Sequence, residues 1–462
     1  MEETGHIGTN INPLALVFLI VMSLVVLSRS RQVAVGALLL TAAFIPLWQQ
    51  LVVGGLHFHF FRLILLVGFV RVLTRQEVRG FKTNGLDKLF IAWALTGLLC
   101  GIIRGSGAEM FGVAYNSLGT YLLIRLLMRK PEEVLIHLRF LAVAAVVIGV
   151  SMIWEVTTQK NLFHVFGGVP QILLERGDRV RCQGPFRSPV LAGTFGATLF
   201  PLMVGLWFQG GRNKQHAIGG ALGCTVITVL SNSSGPLLCY LVALAGLGLW
   251  SMRERMHLFR RGALAVIIGL ALLMKAPVWY LIAKVSDVAG GGGWHRSYII
   301  DLAVKHFSEW WLVGTSRTAD WATNYEVLSV DPNNMDITNH YVAQGVIGGV
   351  WMLGLFLTII ILGFKAVGRA LHSGADQRLA PKLSWAIGVT LTAHCAAFFS
   401  VSYFDLIQVF WFWFLAIIAS LWAIGRPGDV TDALAPSVLS GADVPPPRDD
   451  RAGDIGLYRS IG

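Results

Sequence analysis

The chain has 462 residues, of which 55% are hydrophobic and 14% charged, and its formal net charge is +11. Apolar runs of about 15–25 residues recur along it, the length a helix needs to cross a bilayer, so a soluble globular domain is excluded. The basic residues fall in short clusters between those runs rather than in one stripe or arm; this marks them as orientation charges and speaks against a nucleic-acid partner.

The first apolar run follows the acidic start MEETGHIGTN, with no basic stretch before it and no small-residue cleavage site after it, and is expected to be retained as a span. Spans are predicted at 11–28, 33–52, 58–73, 86–103, 109–127, 134–154, 189–208, 216–231, 235–251, 260–280, 341–364, 382–400 and 405–424. Their connections alternate in charge. Arg29 and Arg31, then Arg75, Arg79 and Lys82, then Arg129 and Lys130, Arg212 and Lys214, Arg253 and Arg255, and Lys365 through Lys382 mark one side. The positive-inside rule makes that side cytoplasmic and places the two long connections, 155–188 and 281–340, on the opposite, outer face. The expected fold is therefore all-α: one polytopic membrane domain over 1–424 with about 12–13 transmembrane helices and short helices in the two outer loops. The count depends on whether 216–231 crosses fully or re-enters. The tail 425–462, rich in Pro, Gly, Asp and Ser without apolar periodicity, reads as disordered and cytoplasmic.

The first outer loop breaks the charge pattern. Its end, ERGDRVRCQGPFRSP (175–189), carries Arg176, Arg179, Arg181 and Arg187 on the side where basic residues are otherwise scarce. Long loops translocate regardless of charge, so a solvated surface is the plain alternative. Arginine, however, offers a planar fork of donors suited to phosphate oxygens. Gly184 and Pro185 predict a turn and Pro189 an early helical position, which puts Arg181 and Arg187 at headgroup depth, where they would hold a lipid diphosphate.

In the second outer loop, WHRSYIIDLAVKHFSEWWLVG (294–314) predicts an amphipathic helix. Ile299, Ala303, Phe307 and Trp310 share its apolar face, and Asp301, Lys305 and Glu309 its polar one. Trp310 and Trp311 are expected to rest at the membrane interface. Arg296 sits near the helix start, where a cation opposes the dipole and calls for an anionic partner. Beyond GTSRTADWA (314–322) and the turn signal DPNN (331–334), Thr338 or Asn339 is a cap for the next span and His340 falls in its first turn. A neutral imidazole there would accept a proton from a sugar hydroxyl; a structural role is the alternative.

The chain contains no HExxH, Walker loop, GxSxG or D-x-D pair, and its five cysteines share no metal-type spacing, so neither a metal nor another cofactor is expected. Transfer from a polyprenyl diphosphate sugar fits such a site: the leaving group is already activated, arginines offset its charge, and one base serves the acceptor.

Three stretches together carry a resemblance: RCQGPFRSPVLAGTF from Arg181, HRSYIIDLAVKHF followed by WWLVGTSR, and DITNHYVAQGVIGG. In order and spacing, over roughly residues 175–365, they resemble the O-antigen ligase and Wzy-type polysaccharide polymerase superfamily, especially its exopolysaccharide polymerase-like members. The resemblance implies a metal-independent inverting glycosyltransferase at the outer face of the bacterial inner (cytoplasmic) membrane, acting on an undecaprenyl-diphosphate-linked oligosaccharide and a glycan acceptor. Membrane lipids and envelope polysaccharide assembly proteins would be its further partners. It also implies that Arg181 and Arg296 bind diphosphate and that His340 is the base. Two departures stand out. Asn339 precedes His340, where the ligase pattern has Asn after its histidine, and the family's frequent Ser-Arg-Gly appears as Ser233-Ser234-Gly235. Arg187 and Arg317 are offered as substitutes for the missing arginine. Polymerase is favoured over ligase on the DITN variant. The rivals are a lipid-linked oligosaccharide flippase or polysaccharide exporter, which needs cations along a cavity within its spans, and a membrane scaffold.

Overall fold

The computed structural model describes residues 8–53, 56–176, 179–288, 293–322, 334–372 and 379–422, with the side chains of 56, 174–179 and 285–288 left aside. The predicted tail 425–462, the turn at 331–333, and the side chains of Arg176 and Arg179 lie outside the described residues.

The described chain is mostly helical, an all-α membrane protein. Every predicted span has a helix: α1 (Pro13–Ser28), α2 (Arg31–Phe44), α3 (Phe60–Thr74), α4 (Gly85–Ile103), α5 (Gly107–Leu127), α6 (Val134–Thr158), α7 (Pro189–Trp207), α8 (Asn213–Leu230), α9 (Ser234–Gly248) and α10 (Met256–Leu273). After the short α11 (Tyr280–Val288), α12 (Trp294–Lys305) and α13 (Phe307–Trp310) come α14 (His340–His372), α15 (Pro381–Ala397) and α16 (Ile407–Leu421). Five helical stretches are long and apolar enough to cross a membrane. The segment with an ambiguous crossing, α8, is one unbroken helix of 18 residues.

Two antiparallel hairpins were not expected. Strands β1 (Gln50–Val53) and β2 (Leu56–His59) pair with Gln50 opposite His59, where helix had been expected through 52. Helix α2 stops at Phe44 because Pro46 drives Ile45 into extended backbone (φ −97°, ψ 117°). Strands β3 (Leu174–Arg176) and β4 (Arg179–Arg181) form the second hairpin, which carries the arginine cluster.

Apolar character all round a helix leaves lipid or protein as its surroundings. For α16 the answer is protein: all of its residues but Gln408 are buried. Helices α6, α7 and α8 meet through glycine. A Cβ on Gly223 would sit 2.5 Å from the Ala145 carbonyl, and one on Gly196 would sit 2.6 Å from the Cys224 carbonyl. Only small residues let helix backbones approach this closely. At another end of the bundle, buried Asp87 of α4 accepts from Tyr121 (2.6 Å) and from Arg125 Nε (2.8 Å) and Nη2 (3.0 Å) of α5, a fully satisfied network that accounts for one buried arginine.

Helix α14 is broken inside. Gly348 (φ −144°, ψ 24°) and Gly349 (φ 68°, ψ −169°) leave helical geometry, and the segment after α13 enters the gap. Val350 N–H donates to the Trp311 carbonyl (2.8 Å), Thr315 N–H to the Val346 carbonyl (2.9 Å), and Arg104 Nη1 to the carbonyls of Val313 and Val346 (3.0 Å each). The break orphans backbone groups, and the segment after α13 supplies their partners. Trp310, expected at the interface, is instead buried against Gly345, with its indole N–H on the Ala303 carbonyl (2.8 Å). Trp311 remains 43% exposed.

Candidate functional site

A cavity of about 600 Å³ is lined by residues from four stretches that are remote in sequence: Arg181, Ser188 and Val190; Trp294, His295 and Arg296; Asp336 to Thr338; and Ser400 to Ser402 with Phe404. Both predicted outer loops therefore contribute to one site. Arg181 and Arg296, predicted from separate loops, come together there.

Their convergence is organised by the start of α9. Arg181 Nη2 donates to Ser233 Oγ (2.7 Å), and Ser233 in turn donates to the Ser231 carbonyl (2.9 Å). Arg296 Nη2 reaches Ser234 Oγ (3.4 Å). Ser233 is the N-cap residue of α9, yet its side chain does not cap the helix; it is engaged by Arg181 instead. Strand β4 is tied to the same turn: Cys182 N–H donates to the Leu230 carbonyl (3.1 Å) and Asn232 Nδ2 to the Val180 carbonyl (2.6 Å). Two guanidinium groups, each held by a serine at the start of α9, thus face one cavity, an arrangement that favours anions.

The entry to α7 behaves as its sequence predicts. Gly184 takes a positive φ of 56°, its N–H donates to buried Glu155 (3.0 Å), Ser188 accepts from Leu191 N–H (3.5 Å), and Pro189 occupies the first turn. This fixes Arg181 and Arg187 on either side of a rigid turn.

Arg187 does not line the cavity. Its guanidinium lies 5.0 Å from the Trp48 ring and 5.8 Å from the ring of Phe404, which does line it. Arg317 is apart from the site: it is 66% exposed and paired with Asp320 at 2.9 Å.

His340 is in the first turn of α14, capped by Asn339, whose Oδ1 accepts from Tyr341 N–H (3.0 Å) and Val342 N–H (3.1 Å). The imidazole is buried behind the cavity wall and is not part of its lining. Nδ1 accepts from Tyr403 N–H (3.1 Å) and lies 3.4 Å from Ser402 Oγ, while Nε2 lies 3.2 Å from Gln344 Nε2. Its route to the cavity runs through Ser402.

The only carboxylate lining the cavity among the described residues is Asp336, which sequence reasoning passed over. It is exposed to solvent, and the protein around it encloses it only in part. That enclosure raises its carboxyl pKa, and the charge of nearby His295 acts in the opposite direction. Ser400, Ser402 and Phe404 were also missed; they lie in FSVSYFD, the link between α15 and α16. Among the described residues no group of three or more His, Cys, Asp or Glu side chains is gathered to hold a metal ion. In comparisons with known proteins, no family model and no curated sequence matches the chain.

Proposed function

We propose that this protein transfers a glycan from a polyprenyl diphosphate carrier to a sugar acceptor at the outer face of the bacterial cytoplasmic membrane, extending a surface polysaccharide as a polymerase rather than a ligase. The observation that carries this reading is the convergence of Arg181 and Arg296, from two separate segments, on one cavity beside the start of α9. Such a site matches a diphosphate leaving group, whose negative charge grows as the bond to sugar breaks.

In the step proposed, the acceptor hydroxyl oxygen attacks the anomeric carbon of the donor sugar from the face opposite the diphosphate. The bond from anomeric carbon to phosphate oxygen breaks, its electron pair leaves with polyprenyl diphosphate, and configuration inverts. The acceptor's proton passes to a base. Asp336 takes that role because it meets the cavity directly. His340, the base that the resemblance implies, stands one hydroxyl further back, behind Ser402.

The test is glycan transfer in vesicles reconstituted with an isolated undecaprenyl diphosphate oligosaccharide. Wild type releases undecaprenyl diphosphate and lengthens the glycan, whereas Arg181→Ala and Arg296→Ala do not. Asp336→Asn and His340→Ala separate the two bases: the variant that loses turnover while retaining donor binding marks the proton acceptor. Donor that crosses the membrane without any new glycosidic bond would replace this reading with a flippase.

A further inference from the structure

We propose that Arg187, held between Trp48 and Phe404, forms a subsite for sugar rings of the acceptor glycan, next to the cavity and separate from the arginines that face diphosphate. The inference rests on the transfer reading above and names the surface along which the second substrate lies.

Three features carry it. The first is continuity: Phe404 is both a wall of the cavity and one of the two rings beside Arg187, so a chain leaving the cavity past Phe404 meets Arg187 and then Trp48. The second is rigidity. Trp48 is clamped by the loop at Gly168, which takes a φ of 82° and whose Cβ, if present, would sit 2.9 Å from the Trp48 Cβ. Phe404 precedes Asp405, which adopts a left-handed φ of 60° and accepts from the Leu406 N–H (2.6 Å). Asp is among the few non-glycine residues that tolerate this conformation, which fixes the direction in which the preceding residue is presented.

The third is chemistry. Arg187 is exposed, forms no salt bridge among the described residues although the Asp405 carboxyl is near enough to feel its charge, and lies beside two aromatic rings, so its donor edge can meet a ligand. Phe404 is itself 38% exposed. A sugar ring has an apolar face of C–H groups and a rim of hydroxyls. Aromatic rings meet the first, and the edge of a guanidinium meets the second. A residue that merely anchored the protein to lipid phosphates would not need a ring shared with the cavity wall.

The experiment measures binding of oligosaccharide fragments released from the cells' own surface polysaccharide by mild acid, and therefore free of diphosphate. The full chain is held in zwitterionic nanodiscs and binding is followed by saturation-transfer NMR. Wild type is expected to bind the fragments, and Trp48→Ala and Arg187→Gln each to weaken binding by about tenfold or more, the scale of losing one stacked or charge-assisted contact. Inorganic pyrophosphate binding should show the opposite pattern, lost in Arg181→Ala and kept in Arg187→Gln. Because Arg187 is a surface residue, Arg187→Gln keeps the test valid if Trp48→Ala fails to fold. Absence of oligosaccharide binding to wild type, or binding by both variants as tight as that of wild type, overturns the proposal. So does an Arg187 effect that appears only when anionic lipid is added, since that marks a lipid anchor. Fragments that bind in this pattern to a protein that performs no transfer in vesicles would leave the subsite standing and remove the transferase reading alone.

Discussion

Replacing Gly235 with Ala probes the meeting point of three segments with a single methyl group. A Cβ at this position would lie 2.5 Å from Ser400 Oγ, 2.7 Å from Ser400 Cβ and 3.2 Å from Arg296 Nη2. The hydroxyl is able to rotate away, but the Ser400 Cβ is fixed to the link between α15 and α16 and moves only with its backbone. Overpacking of this kind costs roughly 1–3 kcal/mol, or about 5- to 150-fold in an equilibrium constant. Its effect should divide between two readouts: a lower midpoint of thermal unfolding in nanodiscs, and weaker binding of inorganic pyrophosphate as Arg296 is pushed from Ser234. Removing the opposing side chain in Gly235→Ala/Ser400→Gly should recover most of both losses. A Gly235→Ala protein that unfolds and binds pyrophosphate like wild type would refute the close approach, and with it the account of how the two arginines are placed.

Ser233→Ala removes the hydrogen bond that orients Arg181 while leaving its charge; with a charge-assisted bond worth about 1.5–3 kcal/mol, pyrophosphate affinity measured by calorimetry should fall about 10- to 150-fold. Because partial enclosure raises the Asp336 pKa, transfer should be lost as pH falls through a value above the usual carboxylate range near 4, and Asp336→Asn should abolish turnover and remove that limb from the pH profile. Gly349→Ala should destabilise the protein by about 1–3 kcal/mol, through its φ of 68° and a Cβ placed 2.7 Å from the Trp311 carbonyl, whereas Gly354→Ala, with open space around it, should be neutral or slightly stabilising.

Helix positions were legible because lipid-facing and protein-facing helices alike need long apolar runs, and each of the thirteen predicted spans overlaps a helix, though the second ends eight residues early. Local turn chemistry was legible for the same reason: Gly184, Pro189 and the Asn339 cap act within a few residues of themselves. The two principal arginines were recognisable as charges out of place. Their partners were not. Arg181 meets a serine 52 positions away and Arg296 one 62 positions away, and nothing in the local pattern of SNSSG signals that its hydroxyls will hold guanidinium groups. Asp336 was obscured by the turn-prone residues before it, and Ser400 to Phe404 by their place between two apolar runs. The break in α14 left a signal, the pair Gly348-Gly349, but glycine pairs are common in tightly packed membrane helices. Only the neighbouring Trp311 carbonyl reveals that here they open the backbone.

If the proposed function holds, the Ser233-Ser234-Gly235 stretch, which stands where the resembled superfamily often has Ser-Arg-Gly, has a physical interpretation. An arginine at position 234 would add a long cation at the spot where Arg296 already places its guanidinium, and two cations sharing one partner repel until an anion arrives. A serine there does the reverse: it is short, accepts a hydrogen bond, and lets the second positive charge come from α12. On the proposed function, the charge facing the diphosphate is supplied by the outer segments, and α9 contributes hydroxyls. The site then depends on those segments staying docked, which the broken α14 secures by taking Trp311 to Thr315 into its own hydrogen-bonding ladder. Exchanging Ser234 for Arg in a protein that also carries Arg296→Ala tests this. Recovery of pyrophosphate binding would show that the position of the charge matters and the element carrying it does not. Failure to recover would show that α12 supplies more than charge.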